Sequence, residues 1–268
     1  MKGKHEMTEF NLKTIQQIPS DIDKSIVLIG MPGIASVGKL CISSLINALS
    51  ATKVTEVFCS DFPPHVLVEP DGLLYVPRTT IYHSRLEDGG TKDLFLITGD
   101  YQPTTSIGVY EFADYLAKKC AEEFKAELVI ATAAFVRDNL TEIPHVFISS
   151  TSQETLDSFI EADKAELFKN GTVTGANGII PAMAAALYDV TGVCCLGETA
   201  PVLHSDPRAA RAIIEVLNQT LHISNDVTNL TPFLDELIKE IEPVYREAKN
   251  KLDMDKMRDR TRDQPYIS

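Results

Sequence analysis

The sequence predicts a three-layer α/β domain with a largely parallel sheet, and two patterns carry that prediction. Short apolar runs at Ile26–Ile29, Leu94–Ile97, Leu128–Thr132 and Val193–Leu196 have the length and composition of strands buried on both faces. Between them lie stretches whose apolar residues recur every three to four positions, the period of helices that cover a sheet. At 268 residues and 44% apolar content, the chain can bury one large core. Residues 1–225 are expected to form the α/β core, and residues 226–268 a helical extension with a charged tail.

Taken in order, an edge strand is expected around Phe10–Ile15, with Pro19 and Ser20 turning the chain into the first core strand. Ile26–Leu49 then reads as strand, glycine turn and helix. Gly30, Gly33 and Gly38 permit positive φ or close backbone approach, Pro32 stiffens the turn, and Leu40, Ser44, Leu45, Ala48 and Leu49 share one helical face. Val54–Cys59 is β-branched and strand-like. Asp71-Gly72 between two apolar runs signals a hairpin, which Thr79–His83 is expected to extend. Asp88-Gly89-Gly90 turns the chain into Leu94–Ile97. Tyr110, Ala113, Leu116, Cys120 and Phe124 then form the apolar stripe of a helix beginning at Thr105.

After Leu128–Thr132, residues 136–143 read as a loop leading to a strand at His145–Ser149. Thr151 with Glu154 three residues on is a capping box, and the helix it starts is expected to reach Leu167. A second glycine turn, Gly171 to Gly178, precedes a helix over Ile179–Asp189 with Pro181 in its first turn. Val193–Leu196 ends in Gly197-Glu198-Thr199, and Asp206-Pro207 is a cap with proline at the first helical position. Thr231-Pro232 repeats that signal. Leu230, Leu234, Leu237, Ile241, Val244 and Ala248 then follow the spacing of helices packed on one another, and Pro243 should kink or split the helix.

Composition narrows the function. The net charge of −13 opposes nucleic acid and anionic lipid, so neither is an expected partner. No apolar run reaches the roughly 20 residues of a membrane span, and the first residues carry no export signal, so a cytoplasmic location is expected. The five cysteines have no C-x-x-C spacing and read as buried thiols, with Cys194 and Cys195 on opposite faces of a strand. The six histidines are scattered without metal spacing.

The main chemical temptation is Gly33-Ile-Ala-Ser-Val-Gly38-Lys39, which matches the phosphate-loop pattern up to its last position. There Leu40 replaces the hydroxyl that would hold magnesium, so nucleotide hydrolysis is not expected. The strand ends and glycine turns still make a candidate anion or ligand crevice from Gly30, Gly33, Gly38, Lys39, Gly175, Asn177, Gly178 and Glu198. Arg137 and Asp138 are further polar candidates, and Asp206 could pair with Glu198, although its cap role is the simpler account. No catalytic set, metal site or cofactor emerges.

Gly30-Met-Pro-Gly33 with Val37-Gly38-Lys39, the Gly171, Gly175 and Gly178 turn, Gly197-Glu198, and Asp206-Pro-Arg-Ala-Ala210 together resemble the proteasome assembly chaperone family of archaea, from about Ile26 to His222. The resemblance implies an αβα sandwich akin to purine nucleoside phosphorylases with a mostly parallel or mixed sheet, and homo-oligomers. It also implies a non-enzymatic chaperone or adaptor role toward proteasome subunits, and a structural phosphate-loop-like turn. The same resemblance implies that members which dock on the α-ring use a C-terminal hydrophobic-Tyr-any-residue motif; here Pro265-Tyr266-Ile267-Ser268 carries the tyrosine one place early, so weak or no docking by the intact tail is expected, and stronger docking once Ser268 is removed. Tyr266 and Ile267 are the tail's partner-binding candidates, and Leu234, Leu237 and Ile241 those of the extension. The alternative is a small-molecule protein or enzyme that uses the glycine turns to hold a nucleotide, nucleoside or phosphate.

Overall fold

A nine-stranded mixed sheet, with helices on both faces, organises the computed structural model, which describes residues 7–86, 92–137 and 141–262. Along the chain come β1 (Phe10–Thr14), β2 (Ser25–Gly30), α1 (Val37–Ala48), β3 (Thr52–Cys59), β4 (Leu67–Val68), β5 (Leu74–Tyr75), β6 (Thr79–Leu86) and β7 (Lys92–Gly99). There follow α2 (Ser106–Glu122), β8 (Ala126–Val136), β9 (Val146–Ser150), α3 (Gln153–Ile160), β10 (Ala165–Leu167), α4 (Ala176–Tyr188), β11 (Thr191–Thr199), α5 (Pro207–Leu221) and α6 (Pro232–Arg262). The strand order is β1-β3-β6-β7-β2-β8-β11-β9-β10.

The expected parallel sheet is confined to the centre, where β7, β2, β8 and β11 run together. On one flank β6, β3 and β1 pair antiparallel, and on the other β9 lies antiparallel to β11 while β10 follows β9 in parallel. The three layers are as expected. On one face α1, α3, α5 and the start of α6 bury Cys41, Leu45, Phe159, Ile213, Leu230 and Leu234 against Leu28, Leu96, Ile130 and Cys195. On the other, α2 and α4 bury Phe112, Leu116, Cys120 and Ile180 against Val27, Ile29, Phe95 and Val129. Alternate residues of each central strand serve opposite layers, which is why those strands read as continuous apolar runs.

Several boundaries differ from expectation for local reasons. Thr79–His83 does not extend the small hairpin; it belongs to β6 in the main sheet, and β4 and β5 stand apart as a two-stranded unit with Gly72 at φ 87° in its turn. The helix expected to reach Leu167 stops at Ile160. Ser152 rather than Thr151 caps it, because the Thr151 hydroxyl is taken by the Gly192 N–H at 2.9 Å, and Lys164 at φ 66° turns the chain into β10. Tyr110 lies on the exposed side of α2, and Phe112 and Ala117 take the core positions. Helix α4 begins three residues early, which places Pro181 inside it. Gly197-Glu198-Thr199 lies within β11 rather than beyond its end. Pro243 does not split α6, since the Lys239 carbonyl it deprives of a donor is on an exposed stretch that water reaches.

The beginning of α6 is anchored from the other end of the chain: the Ser44 hydroxyl of α1 donates to the Leu230 carbonyl at 2.8 Å, and both groups are buried. The turn at Asp88-Gly89-Gly90 lies outside the described residues.

Candidate functional site

The chain leaves β2 toward one half of the sheet and leaves β8 toward the other, so the carboxyl ends of β2 and β8 form a topological switch point, where open α/β sheets place a ligand crevice. Both glycine turns arrive there. In the first, Gly30 and Gly38 are used for contact rather than for conformation. A side-chain carbon on Gly30 would sit 2.1 Å from the Gly38 carbonyl oxygen, and one on Gly38 would sit 2.2 Å from the Thr132 carbonyl oxygen. The Thr132 hydroxyl completes the interlock by donating to the Ile29 carbonyl at 3.0 Å. Gly33 is extended at φ −165°, and the left-handed bend falls instead on Ala35 and Ser36, at φ 48° and 51°.

The second turn is stapled to the first. Asn177, 4% exposed, accepts from the Met31 N–H at 2.9 Å and donates to the Met31 carbonyl at 3.0 Å. Gln102, from the loop after β7, donates to the Pro32 carbonyl and accepts from the Ala176 N–H at 2.8 Å, so it occupies an N–H at the start of α4. Gly175 needs its glycine, at φ 77°, and Gly178 packs against the Val173 carbonyl. Around these staples lies a cleft of about 380 Å³, walled by Ile34, Phe135, Phe168, Val173 and Leu196 and floored by the end of β8. Among the described residues, its lining contains no lysine, arginine or histidine. Lys39 is outside it, 3.9 Å from Asp100.

Glu198 is not brought to the glycine turns. It is 2% exposed and holds the segment after β8: Oε2 accepts from the Thr141 hydroxyl and the His145 N–H, and Oε1 faces the Arg137 guanidinium at 3.5 Å. Arg137 itself lies over the Phe147 ring, and Asp138 is outside the described residues. Asp206 is the helix cap foreseen. It accepts from the Arg208 and Ala209 N–H groups, from the Thr199 hydroxyl at 2.9 Å and from the Arg208 guanidinium, which stacks 3.8 Å from the centre of the Tyr245 ring. The Arg208 guanidinium and the Tyr245 hydroxyl both donate to the Thr141 carbonyl, so this cluster clamps α6 onto α5. A larger cleft of about 650 Å³ beside it is lined by charges already matched, Lys164 with Glu215 and Lys249 with Glu142 among them.

All five thiols are buried and free, and burial pushes Cys194, which lies nearest the cleft, up to about 12. Cys194 and Cys195 do face opposite layers. Of the partner candidates, Leu234 is fully buried in the chain's own core, Leu237 packs partly against it, Ile241 is half-buried, and Tyr266 and Ile267 lie outside the described residues. Gln102 and Thr132 were not foreseen; a lone Gln before Pro103 and a Thr inside a strand carry no signal of their own. Among the described residues no helix is long and apolar enough to cross a membrane.

Comparison with known proteins gives a consistent picture. The PAC2 family model matches residues 27–244. An uncharacterised protein of Methanocaldococcus jannaschii is 32% identical over 209 residues, 77% of this chain and 78% of that one. Among solved structures, Pyrococcus furiosus PbaB, an archaeal proteasome activator, superposes with a TM-score of 0.79 at 26% identity, covering 90% of this chain and 99% of PbaB. Pyrococcus furiosus PbaA, an archaeal homolog of proteasome-assembly chaperone, shares the fold with a TM-score of 0.67 at 21% identity, covering 95% of this chain and 99% of PbaA.

Proposed function

The chain belongs to the PAC2 family, and from that premise we propose that it is a non-enzymatic chaperone or adaptor, working as a homo-oligomer on proteasome subunits in the cytoplasm. The observation that carries this reading is the likeness to PbaB, which spans nearly the whole of both chains. The site supports it. The groups that could have cradled a phosphate are committed to holding the fold: Gly30 and Gly38 to backbone contact, Asn177 to Met31, and Gln102 to the start of α4. A nucleotide or phosphate would also find no cation among the described residues of the cleft lining.

Affinity capture of the full chain with a proteasome-containing native lysate, followed by quantitative mass spectrometry, tests the reading. Enrichment of proteasome α or β subunits is expected. A protein that captures none of them, and that releases a stoichiometric nucleotide or nucleoside on denaturation, would overturn it in favour of the small-molecule alternative.

A further inference from the structure

The register of the central strands leaves part of β8 without a strand partner on one side. On one side β8 pairs with β11 from Leu128 to Val136, but on the other it pairs with β2 only as far as Ala131, because β2 ends at Gly30 and the chain continues as a 3-10 turn at Ile34–Ser36 that packs near β8 without pairing with it. The last residues of β8 therefore have an open edge. Two observations fix which groups face it. The Arg137 N–H donates to Thr199 of β11 at 2.9 Å, and the Thr132 carbonyl abuts Gly38 on the β2 side. Because a strand alternates sides residue by residue, Ala133 and Phe135 bond to β11, whereas Ala134 and Val136 turn their N–H and C=O toward the gap.

A cleft reaches this side of the strand. It lies over the face that Ala133, Phe135 and Leu196 share with Phe168 and Val173, and Ala134 and Val136 carry its lining across to the unpaired side of β8. Among the described residues, no hydrogen bond outside the β11 ladder reaches the Ala134 or Val136 backbone, and both residues are only partly buried.

We propose that this edge is a strand-addition site for an extended, uncharged peptide segment of a partner protein. Two N–H and two C=O groups, repeating every second residue at about 6.8 Å, match the repeat of an extended peptide. The walls choose its side chains. Phe135, Phe168 and Val173 offer an apolar pocket on one side and the exposed Ile34 an apolar rim on the other, and a charged side chain entering the cleft would find no counter-charge in its lining. The inference does not depend on the partner being a proteasome subunit.

A synthetic array of acetylated, amidated hexapeptides built from valine, threonine, isoleucine, phenylalanine, alanine and glutamine tests it against the full chain. Selected peptides are then compared by calorimetry on the natural protein and on Ala134→Pro. The proline removes one edge N–H while leaving the donors to β11 in place, and proline is tolerated at a strand edge. Binding about tenfold weaker is expected for Ala134→Pro, read beside an unchanged urea midpoint. On the natural protein, N-methylation of alternate peptide nitrogens should abolish binding in one frame and be tolerated in the other, a readout independent of any protein variant. An array with no binder, equal tolerance of both frames, or unchanged binding by a folded Ala134→Pro would each overturn the proposal.

Discussion

The side-chain amide of Asn177 stands in for a missing strand at Met31, accepting from its N–H and donating to its carbonyl in a fully buried setting. This bond pair holds the two glycine turns together across 146 residues of sequence. Asn177→Ala should leave both Met31 groups buried and unpaired, at a cost of about 3 kcal/mol. Urea unfolding at constant m-value measures it; a loss below about 0.5 kcal/mol would mean that water replaces the amide.

The glycines of the first turn should separate by role. Gly38→Ala meets backbone 2.2 Å away and is expected to destabilise by about 2–3 kcal/mol, whereas Gly33→Ala, extended and with its nearest atom at 3.9 Å, should be close to neutral. A phosphate cradle would make Gly33 and Lys39 the sensitive positions. Purified protein should show no magnesium-dependent ATP turnover, and turnover abolished by Lys39→Ala would contradict this account.

Asp206 is fully buried and is approached by Arg208, Thr199 and two backbone N–H groups. Asp206→Ala strands the Arg208 guanidinium and uncaps α5, for an expected loss of about 3–5 kcal/mol. Tyr245→Ala removes the stack on Arg208 and should speed amide exchange in α6 near residue 245 more than in α1. Uniform acceleration would show that the clamp is not local.

Alkaline pH should unfold the protein steeply. Burial holds Cys59 at about 11 and Cys120 and Cys194 at about 12, and raises Cys41 and Cys195 as well, against 9.0 for a solvated thiol. Above pH 9 the unfolded chain releases these protons while the folded chain keeps them, so stability falls as pH rises. The slope approaches about 1.4 kcal/mol per pH unit for each thiol ionised in the unfolded chain. Urea midpoints at pH 8, 9 and 10 measure it. In parallel, a thiol reagent should find none of the five cysteines in the native protein and all of them after denaturation; rapid labelling of native protein would refute the burial.

If the distal part of α6 joins copies, a chain ending at Asn250 should lose oligomer mass in light scattering while keeping its thermal transition. Ending the chain at Asp226 instead would uncover the core that Leu230 and Leu234 seal, so it could not separate assembly from folding. An unchanged mass for the Asn250 form would remove the distal helix from the interface.

Much of the fold was legible because the central strands are buried on both faces and write themselves as apolar runs, and because Asp206-Pro207 and Thr231-Pro232 mark helix starts through local chemistry. Beyond local chemistry the signal fades. β10 has three residues, and the backbone reversal at Lys164 that creates it has no residue preference behind it. The site candidates Gly30, Gly38, Asn177 and Gly178 do converge, but their purpose, close packing and stapling, depends on Thr132 and Gln102 from distant segments. Glu198 reads from the sequence as a crevice residue at a strand end, but its partners sit on the segment between β8 and β9, away from the glycine turns. The open edge of β8 is a difference between two pairing lengths, which exists only once the strands are in register.

The bond from Ser44 to Leu230 also sets a schedule for synthesis. The first helix leaves the ribosome long before the segment that covers it, and at about 5–20 residues per second the wait between Leu49 and Leu234 is roughly ten to forty seconds. Throughout that interval the first helix lacks the cover that Leu230 and Leu234 complete, so the nascent chain carries a sticky apolar surface from its first fifth to its last. A protein built this way places its greatest demand on holding chaperones while it is still tethered, and slowing its translation would prolong that demand.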